Sequence, residues 1–413
     1  MIRPIDAFRA TYWLALKHKS RAYGYELWQY DDFSCDHGKY GEGSASVTLD
    51  PRSNDIPWTD VLSDLYGWSL DMGILNSTKT LWKGPVLQLK FAHGLGTRIT
   101  LECETFMHHL ARRRIGVSTN NAKLSDAVTQ VYAGDMLETI WGLALENPST
   151  VSGYPWTERD VMTPWTAVLG TADNGNQFYM ENESGSNLWD FTVDMCERGD
   201  LYTKLTESPA GTFQYDFASP YAGTDRSAYI VFTNRNGLLR AVQRTIDFSA
   251  LCNTFQFRGS GKEDGQVIYW YGNTPSKTTY GIFEDGDTEA GADDTNTGGD
   301  LAEYLAKGDP IQTWEIDVVA DDEYRFGIDF AHRDLISFHH TDMEIFGGLS
   351  GGGGGGVVTG RVIGWKCGFE AGRAIWTFVL GEPPRNYLGE LWQRVGMAGG
   401  RMAAGVRRTK GGW

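Results

Sequence analysis

Apolar and polar residues alternate one for one through much of this chain, and that period of two most constrains what it can fold into. Ala45, Val47 and Leu49 alternate with polar neighbours over residues 44–50. Val86, Leu87, Leu89 and Phe91 follow a Gly84-Pro85 break, and Ile99, Leu101 and Cys103 alternate after Gly94-Leu95-Gly96. A strand turns successive side chains to opposite faces, so this spacing predicts sheets with one covered face. The composition points the same way: 15 Trp, 19 Tyr and 19 Phe suit half-buried pleated surface, and 51 Gly supply turns between short strands. Residues 9–29 read as strand on their Tyr and Trp content.

After Cys103 the period changes. Phe106, His109, Leu110 and Arg113 fit a short helix ending near Gly116. Over residues 124–147, Leu124, Ala127, Val128, Val131 and Tyr132 recur at helical spacing, and Pro148 marks a stop. In residues 186–198, Leu188, Phe191, Thr192, Met195 and Cys196 line one helical face, with Ser186 as N-cap and Gly199 at the left-handed C-terminal position. Strands resume over residues 213–217, 228–232, 238–248, 254–258 and 266–271, then 314–320, 324–330, 357–365 and 374–380. Residues 284–299 are acidic and Gly/Thr-rich, which predicts a solvated loop. It feeds a short helix over 301–307, with Asp300 as cap and Glu303 three residues on. Six consecutive glycines, Gly351 to Gly356, favour no single conformation. There is no internal repeat.

With 413 residues there is room for roughly two to four domains. The pattern predicts a β-rich α+β chain in four regions: 1–120 β-rich with a short terminal helix, 121–250 mixed, 251–380 β-rich with the acidic and Gly-rich loops, and 381–413 a Gly/Arg-rich tail.

The net charge of −16 repels phosphate backbones, so no specific nucleic-acid binding is expected of the main body. The tail differs. Arg394, Arg401, Arg407, Arg408 and Lys410 occur with no acid after Glu390, a composition that docks on acidic partners. Cys35, Cys103, Cys196, Cys252 and Cys367 are dispersed and form no CxxC, which predicts reduced, buried thiols. The first residues carry no signal-peptide pattern, and no apolar run reaches membrane-span length. Folding in a cytoplasm is the expectation.

Catalytic constellations are not assembled by spacing. His108-His109 and His339-His340 are tempting metal pairs, but adjacent side chains do not converge, and no third ligand sits at the needed interval. Asp285, Asp287, Asp293, Asp294 and Asp300 lack the order of a calcium loop. Arg258-Gly-Ser-Gly-Lys262 lacks the spacing of a phosphate loop and reads as a β-turn. A glycoside hydrolase needs two carboxylates about 5–10 Å apart, and nothing brings Glu102, Glu104 or Asp194 together. No enzyme activity, metal or cofactor is therefore expected. In Arg112-Arg113-Arg114, Arg113 and Arg114 are the candidates for an intersubunit ion pair.

Three stretches resemble the hub proteins at the tail tip or baseplate of long-tailed, siphovirus-type phages, a group that includes the N-terminal part of tail-associated lysins. The first, Arg98 to Ile115, is similar to a strand followed by a helix with a Leu-x-x-Arg ending. The second, Asn187 to Arg240, is similar to that family's helix, hairpin and returning strands. The third, Arg244 to Gly261, carries an Asn-x-hydrophobic-x-hydrophobic pattern and continues to Tyr280-Gly-Ile-Phe-Glu284, where the family has Tyr-Gly-x-x-Glu. The resemblance covers most of residues 1–380. It implies two β-barrel-like hub domains flanking the mixed region, and a homotrimer around the DNA exit channel in the virion tail tip. It also implies a distal tail protein, a tape-measure protein and tail-fibre or receptor-binding proteins as partners. The sequence departs from that pattern at Gly347–Gly356, which leaves the strand pairing around residues 335–360 open, and the chain stops without room for a lysin domain. The alternative is a glycan-binding or glycan-hydrolysing virion protein, motivated by acidic charge and abundant Trp.

Overall fold

The computed structural model of the chain describes residues 8, 11–20, 24–52, 55–77, 79–94, 96–112, 131–141, 167–172, 177–178, 187–199, 201–207, 213–218, 223–249, 251–258, 268–288, 310–319, 323–341, 357–370 and 373–381. Alternation governs the first of them. In β1 (Tyr12–His18) Tyr12, Leu14 and Leu16 are buried, and β2 (Tyr25–Glu26) pairs with its far half. In β3 (Asp32–His37) Phe33 and Cys35 face inward, as do Ala45, Val47 and Leu49 in β4 (Ser44–Leu49). After the short helix α1 (Trp58–Ser63) comes β5 (Trp68–Ile74), buried at every position and so covered on both faces.

The strand that follows does not break at Gly84-Pro85 as the sequence suggests. β6 (Thr80–His93) runs straight through that step, pairing first with β5 (Ser69 opposite Pro85) and then with β7 (Thr97–Glu104, Leu89 opposite Leu101). Proline has no N–H to donate, and glycine admits a close backbone approach, so the dipeptide hands the strand from one neighbour to the other.

The middle of the chain holds the helices. They are α2 (Met107–Arg112), α3 (Ala133–Trp141) and α4 (Leu188–Gly199), with β8 (Val131–Tyr132), β9 (Ala167–Ala172), β10 (Gln177–Phe178), β11 (Tyr202–Glu207) and β12 (Phe213–Ala218). Phe106, Leu110, Leu137, Trp141, Leu188, Met195, Tyr215 and Phe217 form their common core. Trp141 Nε1 donates to Thr192 Oγ1 at 3.0 Å, and that hydroxyl donates to Leu188 O at 2.7 Å, so the buried indole N–H is satisfied. Three expectations are corrected here. Within the helix expected over 124–147, Val131 and Tyr132 are instead strand, pairing with Phe178 and Gln177, and α3 starts at Ala133; residues 124–130 and 142–147 lie outside the described residues. The N-cap of α4 is Asn187, whose Oδ1 accepts from Asp190 N at 2.9 Å, not Ser186. Gly199 is not there for a left-handed turn: a Cβ would lie 2.3 Å from Ala133 Cβ, so it lets α4 approach α3.

Strands then resume with β13 (Val231–Thr233) and β14 (Leu239–Asp247), followed by β15 (Thr254–Arg258), β16 (Ile268–Gly272), helix α5 (Thr274–Tyr280) and β17 (Glu284–Thr288). The last are β18 (Ile311–Val319), β19 (Leu335–His339), β20 (Val357–Glu370) and β21 (Arg373–Gly381). Glu284 to Thr288 were expected in a solvated loop; they pair instead, parallel to β15. The short helix expected at 301–307 and the six glycines lie outside the described residues. Residues 324–330 alternate like a strand but form a tight turn. Gly327 takes φ +85°, Arg325 N and Nε donate to Asp329 Oδ2 at 2.8 and 3.1 Å, and Ile328 projects outward while Phe326 and Phe330 point in.

Strands from the two ends of the chain share one 13-stranded sheet, in the order β14-β18-β21-β20-β3-β4-β7-β6-β5-β1-β2, with β19 on β20 and β13 on β19. The seam is β20 against β3, antiparallel, with Trp365 opposite His37 and Cys367 opposite Cys35. Beside it, Phe326, Phe330, Trp365, Trp376 and Phe378 pack with ring centroids 5.0–5.9 Å apart. Each such pair adds about 0.5–1.5 kcal/mol beyond its buried area.

The chain divides into two compact units, one of Met1–Gln243 with Glu315–Gly381 and one containing Arg244–Trp314. In the second, β15 lies between β16 and β17.

Candidate interaction surfaces

The residues that the sequence nominated for contacts fall mostly beyond what the structure describes. Arg113 and Arg114 follow α2, and Arg401, Arg407 and Arg408 belong to the tail; all five lie outside the described residues. So do Asp293, Asp294 and Asp300. His339 ends β19 with His340 next to it, and among the described residues no three His, Cys, Asp or Glu side chains are placed to hold a metal ion.

Glu102 and Glu104 share the outer face of β7 with Cys103 buried between them, as the period of two requires. Glu102 is engaged by Lys90 across the strand pair. Beyond Leu87 the hairpin of β6 and β7 runs into solvent: Lys90, Phe91, Ala92 and His93 are exposed, with Phe91 at 48%. Near its turn, Arg98, opposite Ala92, pairs with Asp31 and reaches Asp50 at 3.3 Å. Exposed pairs of this kind contribute ~0–1 kcal/mol, so the hairpin is held by its backbone ladder.

The second unit presents a different face. Ile268 and Trp270 sit two apart on β16 and are 50% and 53% exposed, opposite Arg258 and Gln256 of β15. Ile282 and Phe248 add further exposed apolar area in the same unit. The sequence gives β16 its alternation but not the direction in which Trp270 points, and this face was not anticipated. What positions it is Asn253, fully buried. Its Nδ2 donates to Ser276 Oγ and Gly281 O, and its Oδ1 accepts from Phe283 N. Asn273 caps α5 by accepting from Ser276 N at 3.1 Å.

Ionisable groups inside the first unit are displaced from their ordinary values chiefly by burial. The His37 and His332 rings are 5.2 Å apart, and His37 also stacks on Trp365. His332 Nε2 donates to Ile363 O at 3.0 Å. Burial pushes His37 down to about 4 and His332 down to about 3, with the nearby Arg333 adding to both. Arg333 is itself buried, at φ +79°, with its guanidinium over the Tyr202 ring at 5.3 Å; desolvation lowers it to about 10. Lys39 lies over Tyr40 and Tyr202. Tyr202 therefore receives cations from two directions, tying β11 to the turn before β19.

A second charged element is wholly internal. Lys83 Nζ stands 3.2 Å from Asp71 Oδ2, each side chain 4% exposed, and Ser69 Oγ donates to Asp71 Oδ1 at 2.6 Å. The two charges sit directly opposite each other on β6 and β5. The sequence holds a hint of the pair: Asp71 is the one charge in β5, and Lys83 is the one charge in the apolar first half of β6.

No protein-family model matches the chain, and no curated sequence does. Solved structures do. A tail protein of Neisseria meningitidis MC58 superposes with a TM-score of 0.51 at 13% identity, over 90% of this chain and 97% of that one. The 43 kDa tail protein of prophage MuSo2 of Shewanella oneidensis gives 0.54 at 11% identity, over 90% and 98%. A prophage tail protein of Listeria monocytogenes EGD-e gives 0.51 at 10% identity, over 92% and 98%. The chain has the fold of these tail proteins. At such identities it is backbone topology that agrees, and it agrees over nearly the full length of each.

Proposed function

We propose that this chain is a structural component of a phage-type tail: the hub at the tip or baseplate, joining the tail tube to the proteins that meet the host. The observation that carries this reading is the end-to-end likeness to three tail proteins, each covered over 97–98% of its length. In this proposal three copies surround the tail axis. The β-rich parts form two barrel-like bodies around the mixed middle, and the outer acidic faces of strands such as β7 keep passing DNA from sticking. The net charge of −16 supports that role, since like charge prevents adhesion. A distal tail protein, a tape-measure protein and tail-fibre or receptor-binding proteins are the partners, with Arg113 and Arg114 at the intersubunit contact and Arg401, Arg407 and Arg408 docking on acidic neighbours. The tail is of the long, siphovirus type, the chain is assembled in the host cytoplasm, and its work is mechanical, not catalytic.

Light scattering coupled to size exclusion on the purified full-length chain tests this. A trimer, or a ring that forms only with a tail-tube partner, is the expected result. A stable lone monomer that binds or cleaves bacterial glycans overturns the hub and establishes the carbohydrate-active alternative.

A further inference from the structure

The seam between β3 and β20 places two thiols face to face. Cys35 and Cys367 are direct partners in the antiparallel register, and both are buried, at 3% and 2% exposure. They are 332 positions apart in sequence, and each belongs to the half of the sheet built from its own end of the chain. Directly opposed residues in an antiparallel pair have Cα atoms about 4.5 or 5.5 Å apart, according to the hydrogen-bonding site. Both values fall within the roughly 4.4–6.8 Å over which a disulfide closes without backbone movement. The remaining cysteines are excluded as partners. Cys103 lies in the same cross-strand row, but two strands away from Cys35 through Ala45. That is about 10 Å, beyond the reach of a bond. Cys196 is on α4, and Cys252 stands just before β15, whose sheet partners are β16 and β17.

We propose that Cys35 and Cys367 form a cross-strand modification site: a thiol pair, reduced as the protein folds, that a small-molecule disulfide oxidises to a bond stapling the seam. In the reduced state the Cys35 thiol donates to Met72 Sδ at 3.8 Å. With oxidised glutathione, one cysteine thiolate attacks a glutathione sulfur, releasing one glutathione thiolate and leaving a mixed disulfide. The second cysteine thiolate attacks the protein sulfur of that mixed disulfide, expels the second glutathione, and closes the Cys35–Cys367 bond. The protein loses two protons and two electrons, and one glutathione disulfide becomes two thiols.

Burial raises both thiols, so thiolate is scarce while the seam is closed and oxidation proceeds through its opening. That gives the reaction a signature: it accelerates in urea below the unfolding midpoint. Complete unfolding abolishes its selectivity, because a loop of this length is then less readily closed than shorter ones. The chemistry is independent of the tail reading. It bears on it because a protein made in a reducing cytoplasm and used outside the cell meets both conditions.

The test uses the purified full-length chain, incubated with oxidised glutathione in sub-denaturing urea, with thiols counted after denaturation and disulfides mapped by non-reducing peptide mass spectrometry. The count is expected to fall from five free thiols to three, with Cys35 linked to Cys367 and a raised thermal midpoint. Cys35→Ala and Cys367→Ala remove the bond, and Cys103→Ala leaves it. Five remaining thiols, a mixed disulfide that never closes, or a bond mapped to another pair overturns the proposal. The wild-type mapping decides even if a variant fails to fold.

Discussion

Asn253 Nδ2 donates to the carbonyl oxygen of Gly281 at 2.7 Å, and through this bond the strand β15 holds the turn that leads into β17. The same side chain accepts from Phe283 N at 2.8 Å, while Asn253 N and Thr254 N both donate to Phe283 O. The Asn-x-hydrophobic strand and the Tyr-Gly-x-x-Glu turn, separate in sequence, are two halves of one hydrogen-bonded joint. Gly281 takes φ +87° there, a conformation that L side chains rarely adopt.

Asn253→Ala removes the side-chain bonds to Ser276, Gly281 and Phe283 from a fully buried position, and is expected to cost about 1–3 kcal/mol. Asn253→Asp, which keeps the size but loses the donor, is expected to be similarly damaging. Urea denaturation measures the loss, and hydrogen exchange at Phe283 and Glu284 locates it. Native protection there in Asn253→Ala contradicts the joint.

The Asp71–Lys83 pair predicts an asymmetry. Lys83→Met leaves the Asp71 carboxylate buried without its ammonium and is expected to destabilise by about 3–5 kcal/mol, whereas Asp71→Leu with Lys83→Met together cost far less. A double-mutant cycle in urea separates the two outcomes. Equal losses for the single and double variants argue against a buried, mutually dependent pair.

His37 and His332 make stability depend on pH with a definite sign. Their folded values, about 4 and about 3, lie below the ordinary 6.5, so the unfolded chain binds protons that the folded chain refuses. Stability is therefore full above about pH 6.5 and falls as the pH drops towards those folded values, by up to ~1.4 kcal/mol per pH unit for each ring. Asp225, Asp247 and Asp329, whose carboxyls are held below their ordinary value, lose their contribution only in more acid solution. Burial holds the Glu42 carboxyl above its ordinary value, which opposes the histidines over the same range, so the comparison is with a variant: between pH 7 and 4.5, His37→Phe is expected to lower the loss of urea midpoint relative to wild type. An unchanged loss assigns the effect elsewhere.

Two glycines in one hairpin are expected to respond oppositely to a methyl group. At Gly84 a Cβ would stand 2.0 Å from Glu104 O, so Gly84→Ala forces the backbone apart and is expected to cost about 1–3 kcal/mol. At Gly94 nothing lies within 4 Å, and Gly94→Ala is expected to stay within ~0.5 kcal/mol of wild type. Thermal melts of the two variants make the comparison.

Period two declared most of the strands, and the faces of β4 and β7 could be read from it residue by residue. The apolar stripe of α4 was equally legible, because a helix satisfies its backbone locally and its pattern is self-contained. Alternation also misled. It reads the same in residues 324–330, where Gly327 and the Arg325–Asp329 hydrogen bonds bend the chain into a turn instead.

What the sequence determined by itself is therefore local: which segments extend, which coil, and which side of each is apolar. Only the tertiary structure decided that β3 and β20 are neighbours, that β6 serves two partners, that Asp71 and Lys83 meet, and that Gly199 admits Ala133. The physical reason is that a strand leaves its hydrogen-bonding edges open. Its partner is selected by competing fits among segments hundreds of residues apart, and no period within one segment records the outcome.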